Sequence, residues 1–289
     1  MRLCLMNKKV LRKYRNVLER LYRLYNRREL VGTDPLDFVY RYSDPADMEI
    51  VALLSADLAY GRVRQIQKSL TDLLDRMGDS PYEFVRTFDS RKRVKLKDFR
   101  HRFTSGDDIA DLLSLLKTVL HRYHSIEQFF MTFYDPAEPY VVGTLGRFCN
   151  CLCTMHARRH HGEIGRGLKY LLAGPSSGGA CKRLNLFLRW MVRNDDVDAG
   201  LWTSVDKAKL IVPLDVHMSR LCRIIGLCDS KTASIKTAIR ITNAFAEIEP
   251  TDPVKYDFAM SRVGIVDGCD GHRRAECESC ELVTLCRSV

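Results

Sequence analysis

The chain has 289 residues, 46% hydrophobic and 28% charged, which suits one large domain or two small ones. That balance excludes a disordered, collagenous or low-complexity chain, and no apolar run approaches the ~18 residues of a membrane helix, so no membrane partner is expected. The net charge of +10 points to a polyanionic partner, usually nucleic acid.

Nearly every segment reads as helix. Val10, Leu11, Tyr14, Val17, Leu18, Leu21, Tyr22 and Tyr25 recur at helical spacing, with basic residues between them. The opening residues 1–6 are too short for a signal-peptide core. Thr33-Asp34-Pro35 and Ser43-Asp44-Pro45 punctuate the next stretch. Met48 to Met77 reads as one or two helices ending near Gly78. Residues 89–107 read as a charged connector carrying Arg91, Lys92, Arg93, Lys95, Lys97, Arg100 and Arg102. Asp107 or Asp108 caps a helix through Leu112 to Leu120, and an aromatic-rich helix follows over 126–134.

The segment 141–161 is an apolar helix. Its Cys149, Cys153, His156 and His160 share one face, but at ~1.5 Å per residue the stripe is about 16 Å long, too long for one ion. It reads as buried thiols beside surface histidines. Gly174 to Gly179 is the most glycine-rich turn. Helices are expected from Lys182 to Arg193, after Pro213-Leu214-Asp215, over 231–248, and after Asp252-Pro253. Strand-like alternation is sparse.

Eleven cysteines without a secretory signal suggest a reducing, cytoplasmic setting. Four of them, Cys269, Cys277, Cys280 and Cys286, are separated by seven, two and five residues. Thiolates so spaced can converge on a zinc ion or a cubane iron–sulfur cluster. Zinc ribbons usually carry two Cys-x2-Cys knuckles and this segment has one, which favours a 4Fe-4S cluster, with zinc as the alternative.

Three further segments resemble the helix-hairpin-helix DNA glycosylase superfamily, the group of endonuclease III and the 8-oxoguanine glycosylases. Ile50-Val51-Ala52-Leu53-Leu54-Ser55-Ala56 looks like the family's "LLSAQ" helix, with Asp57 in place of the glutamine. Gly178-Gly179-Ala180-Cys181-Lys182 sits where the family has a G-x-G-x-K hairpin, with Ala180 replacing the second glycine. Val212-Pro213-Leu214-Asp215-Val216-His217-Met218 is similar to the "VPVDVHM" of the 8-oxoguanine branch. The four cysteines are similar to that group's C-x6-C-x2-C-x5-C loop, with one extra residue in the first gap. A likeness over most of the chain runs from Lys182-Arg183-Leu184-Asn185 through Asp252-Pro253-Val254-Lys255-Tyr256-Asp257-Phe258. It is to a bacterial family known only as a domain of unknown function, and it supplies no activity.

The glycosylase resemblance implies base excision from duplex DNA by base flipping. Lys182 matches the lysine whose amine attacks the sugar C1′, giving a Schiff base and possible AP-lyase activity. Asp215 matches the catalytic aspartate, although Asp before an apolar helix is also an ordinary N-cap. Gly174, Ser176, Ser177, Gly178 and Gly179 would offer main-chain N–H groups to phosphates. Tyr60, Arg62, Arg183 and His217 complete the expected DNA face.

The resulting expectation is an all-α, monomeric DNA repair enzyme of two packed helical subdomains, working in the cytoplasm at the nucleoid. Residues 46–193 form a barrel with the helix-hairpin-helix; residues 1–45 and 194–289 form the second, ending in the iron–sulfur loop. Two other functions stay open. One is a non-catalytic nucleic-acid-binding iron–sulfur protein, the other an RNA-processing enzyme.

Overall fold

A computed structural model of the chain describes residues 7–287. The reading of residues 1–6 as no signal core lies outside them. The protein is helical almost throughout. α1 (Lys8–Tyr25) opens on Asn7, whose side chain accepts the Val10 N–H at 2.9 Å, and it buries Tyr14, Val17, Leu18 and Leu21 along one stripe. Two 3-10 turns, Arg28–Thr33 and Pro35–Arg41, lead to α2 (Pro45–Asp57). From Glu49 to Asp57 every residue of α2 is buried. A helix with no polar face must lie at the centre of a fold.

α3 (Val63–Met77), α4 (Pro81–Arg86) and α5 (Ser90–Leu96) follow. Between α5 and α6 (Gly106–Tyr123) the chain makes a short antiparallel hairpin, β1 (Arg100–His101) with β2 (Thr104–Ser105). The expected connector over 89–107 is therefore structured. Periodicity could not show this, because a seven-residue helix and two-residue strands are too short to display one. Gly106 is required where α6 starts: a Cβ there would lie 1.7 Å from the Leu96 carbonyl oxygen. α6 opens with a capping box of Ser105 and Asp108.

α7 (Ile126–Met131), α8 (Val142–Arg159), α9 (Arg166–Leu171) and α10 (Lys182–Val192) come next, then α11 (Val216–Ile224), α12 (Ile235–Ile248) and α13 (Asp257–Ile265). α2 packs against α10, α4 and the Pro35–Arg41 turn. α6 packs against α4, α5, α7, α8 and α9. α1 lies on α12 and α13, and α11 on α13. One continuous hydrophobic cluster runs through all of these contacts.

The core also holds charge. Arg189 pairs with Asp198 at 3.1 Å and with Asp257, and Arg193 pairs with Asp195 at 2.8 Å, Asp252 at 3.0 Å and Asp198. The sequence suggests packing with solvated charge for Arg189-Trp190. The packing is present, but the charge is not solvated: Arg189 is 2% exposed. Its two partners, Asp198 and Asp257, are buried with it, and so is Asp252 beside Arg193.

Candidate functional site

α2 ends at Asp57, and the chain turns through Leu58–Arg62 before α3. α10 begins beside that turn. Lys182 is its first residue, preceded by Cys181 at φ +50°, an unusual conformation for a side chain with a Cβ. The Lys182 amine donates to the Ala59 carbonyl at 3.5 Å. It also lies 3.7 Å from the Asp215 carboxylate. Two residues 33 positions apart in sequence thus meet in space. Asp215 is the N-cap of α11, and its Oδ1 accepts the Met218 N–H at 2.8 Å. Its other oxygen, Oδ2, is the one facing Lys182. Both side chains are partly open, 34% and 19% exposed, so a substrate atom can reach the pair.

Arg183 turns the other way. Its guanidinium donates to the Asp57 carbonyl at 3.0 Å and to the Tyr170 carbonyl, and lies 3.8 Å over the Tyr170 ring. The Asp57 carboxyl beneath it is buried, and neither of its oxygens has a hydrogen-bond partner. Burial pushes this carboxyl up to about 7, and Arg183 opposes the shift.

The glycine-rich turn divides. Ser176, Ser177, Gly178 and Gly179 are exposed, and Gly178 takes φ +77°. Gly174 is buried: a Cβ there would sit 3.0–3.1 Å from the Cys149 side chain. Ala180 is 8% exposed and faces the core. His217 is the second residue of α11, its Nδ1 3.2 Å from the Arg220 guanidinium and its ring close over Gly264. Arg62 is exposed at the start of α3.

Tyr60 is half-buried and belongs to a group that the sequence did not reveal. Its ring stacks on Phe103 at 5.0 Å and meets Tyr170 edge-on at 5.2 Å. Phe103 sits at the tip of the β1–β2 hairpin and is 53% exposed. An apolar aromatic directly after a basic run, Phe103 following Arg100-His101-Arg102, is the one signal that could have drawn attention to it.

The four cysteines Cys269, Cys277, Cys280 and Cys286 line one recess of about 410 Å3, mouth included, with Leu221, Ile224, Val263 and Leu282 as apolar walls. Cys277 and Cys280 belong to the 3-10 turn Ala275–Ser279 and its cap. The Arg274 N–H points at the Cys277 sulfur at 3.3 Å. Burial, then the neighbouring Cys269 and Cys277 thiols, push the Cys280 thiol up. Among the described residues no three Cys, His, Asp or Glu side chains are grouped tightly enough for one metal ion.

The residues from Asp34 to Val266 match the model of a family described as a protein of unknown function (DUF2400). The chain belongs to this family. The DUF2400 match includes Asp57, Phe103, Lys182 and Asp215 and ends before Cys269. No curated protein and no solved structure matches the chain.

Proposed function

We propose that this DUF2400 protein is a DNA glycosylase with lyase activity, acting through Lys182 and Asp215. The observation that carries the reading is the 3.7 Å approach of the Lys182 amine to the Asp215 carboxylate at the mouth of two helices. In this scheme the free amine of Lys182 attacks C1′ of a flipped nucleotide. A bond forms between Nζ and C1′ as the bond from C1′ to the base breaks, and the base leaves with the electron pair. The Nζ proton passes to Asp215 Oδ2. Until then the carboxylate stabilises the positive charge growing on the sugar. The exposed turn 176–179 and the N-terminus of α10 form the helix-hairpin-helix surface of this reading, with α9 as the first helix, and take the flanking phosphates on main-chain N–H groups.

Cys269, Cys277, Cys280 and Cys286 would hold a 4Fe-4S cluster, which supplies a rigid crosslink at a basic surface and no step of the reaction. The single Cys-x2-Cys pair favours this over zinc, whose ribbons usually carry two such knuckles. Iron and acid-labile sulfide in equal amounts in anaerobically purified protein is the expected analysis; zinc without sulfide would refute the cluster.

Borohydride reduction on a duplex with an abasic site tests the activity. Wild-type protein is expected to give a covalent adduct. Lys182→Gln should give none, and Asp215→Asn should slow trapping by two or more orders of magnitude while binding is kept. A Lys182→Gln adduct as abundant as the wild type's rules Lys182 out as the nucleophile. Tight, salt-sensitive binding with no adduct from any form would refute the lyase activity and leave either a monofunctional glycosylase or the non-catalytic nucleic-acid-binding reading, in which Asp215 is only the α11 cap.

A further inference from the structure

We infer that the exposed ring of Phe103, carried on Tyr60, is a stacking seat for an unpaired nucleobase, so that the preferred substrate already holds a base out of the duplex. The inference deepens the proposed function and rests on it for the choice of DNA. Four observations carry it.

Phe103 is one of the few large apolar side chains left in solvent, and it occupies a hairpin tip. An aromatic face in water costs free energy unless something covers it, and a base offers a flat π-surface of matching size. The ring has a rigid base beneath it. It stacks on Tyr60 at an interplanar angle of 28° and leans edge-on against Tyr170 at 4.6 Å.

The hairpin itself is pinned. The Tyr60 hydroxyl donates to the His101 carbonyl at 2.9 Å and lies 2.6 Å from the Thr104 hydroxyl, one contact on each strand. The fully buried His101 ring closes the loop, with Nε2 3.0 Å from the Tyr60 carbonyl and Nδ1 2.9 Å from Ser69. The tip is therefore held before any ligand arrives, which lowers the entropy lost on binding.

Two cations flank the Tyr60 ring beneath the seat. Arg102, at φ +55° on the turn, lies 5.7 Å over the Tyr60 ring, and Arg183 lies 5.6 Å from its centre. Guanidinium groups beside an aromatic stack favour a base that brings its phosphate with it. Finally, the seat adjoins the reactive pair. Tyr60 follows Ala59, whose carbonyl accepts the Lys182 amine. A fully paired duplex keeps its bases stacked on each other, so only a bulged, mismatched, abasic or single-stranded site frees one for Phe103.

The test uses a duplex with 2-aminopurine in a one-nucleotide bulge and the same duplex with 2-aminopurine paired. The full-length protein is compared with Phe103→Leu, which keeps a hydrophobic side chain at an exposed position, and with Phe103→Trp. Wild type should bind the bulge about tenfold or more tighter than the paired duplex and quench its fluorescence. Phe103→Leu should lose about fivefold or more of that preference and most of the quenching, and Phe103→Trp should retain both. Equal binding to both duplexes, or a preference unchanged in Phe103→Leu, overturns the inference. Since binding is read without cleavage, quenching that persists where no borohydride adduct forms would refute the lyase reading and leave the stacking seat standing.

Discussion

At the residue scale Asp57 makes the sharpest demand on the protein. A buried carboxyl with no hydrogen-bond partner in the protein costs stability whenever it ionises. Its folded-state pKa of about 7 lies above the ordinary carboxyl value, so between that value and pH 7 the folded state holds a proton that the unfolded chain has lost. Stability therefore falls as pH rises through this window and levels off above it. Asp57→Asn should flatten the slope and stabilise the protein at pH 8 by up to on the order of 4 kcal/mol, about three pKa units. Urea titrations at pH 5, 6, 7 and 8 on both forms measure this. Parallel pH curves for the two would show that Asp57 is not the residue responsible. The placement also bears on the site, because Arg183 is fastened to the main chain of Asp57 and not to its carboxyl. The arginine thus keeps its position over Tyr170 without needing Asp57 charged.

Among the elements, α10 joins reaction site and core. Its first residue meets Asp215, and one face further along carries Arg189 and Arg193 into the buried charge network. Asp198 is the node, since both arginines reach it. Removing one partner of a buried pair strands the other, so Asp198→Ala should cost about 3–5 kcal/mol. A loss under about 1 kcal/mol in denaturant unfolding would mean that Asp195, Asp252 and Asp257 satisfy the two arginines unaided. Sequence reading recovered much at this scale. The runs around Leu18, Leu116 and Ile241 show helical spacing, and the Pro and Asp punctuation at 34–35 and 44–45 marks where helices start. It also paired Lys182 with Asp215, through motif likeness and not through spacing. It missed the hairpin and the Phe103 seat, because two-residue strands carry no period and stacking joins residues from three separate segments. It missed the charge network for a related reason: a lone arginine in an apolar helix reveals nothing about carboxylates ten or sixty residues later.

Over the whole molecule, α1 and the cysteine loop brace each other. Lys13 donates to the Thr284 carbonyl at 2.6 Å, and Arg20 pairs with Glu281 at 3.1 Å. If the cysteines hold a cluster, its loss should be felt at the other end of the sequence. Cys277→Ser should raise amide exchange in residues 8–25 while α2 and α6, which lie apart from the loop, keep their protection. Unchanged exchange in α1 would separate the loop from the helix. The same contact has a consequence for synthesis. α1 leaves the ribosome well before its partners, α12, α13 and the loop, the first of which begins only at Ile235. At roughly 5–20 residues per second its amphipathic face stays uncovered for about ten seconds or longer. The nascent helix, with Leu18 and Leu21 bare between arginines, is then a ready target for a chaperone or for the anionic RNA around it.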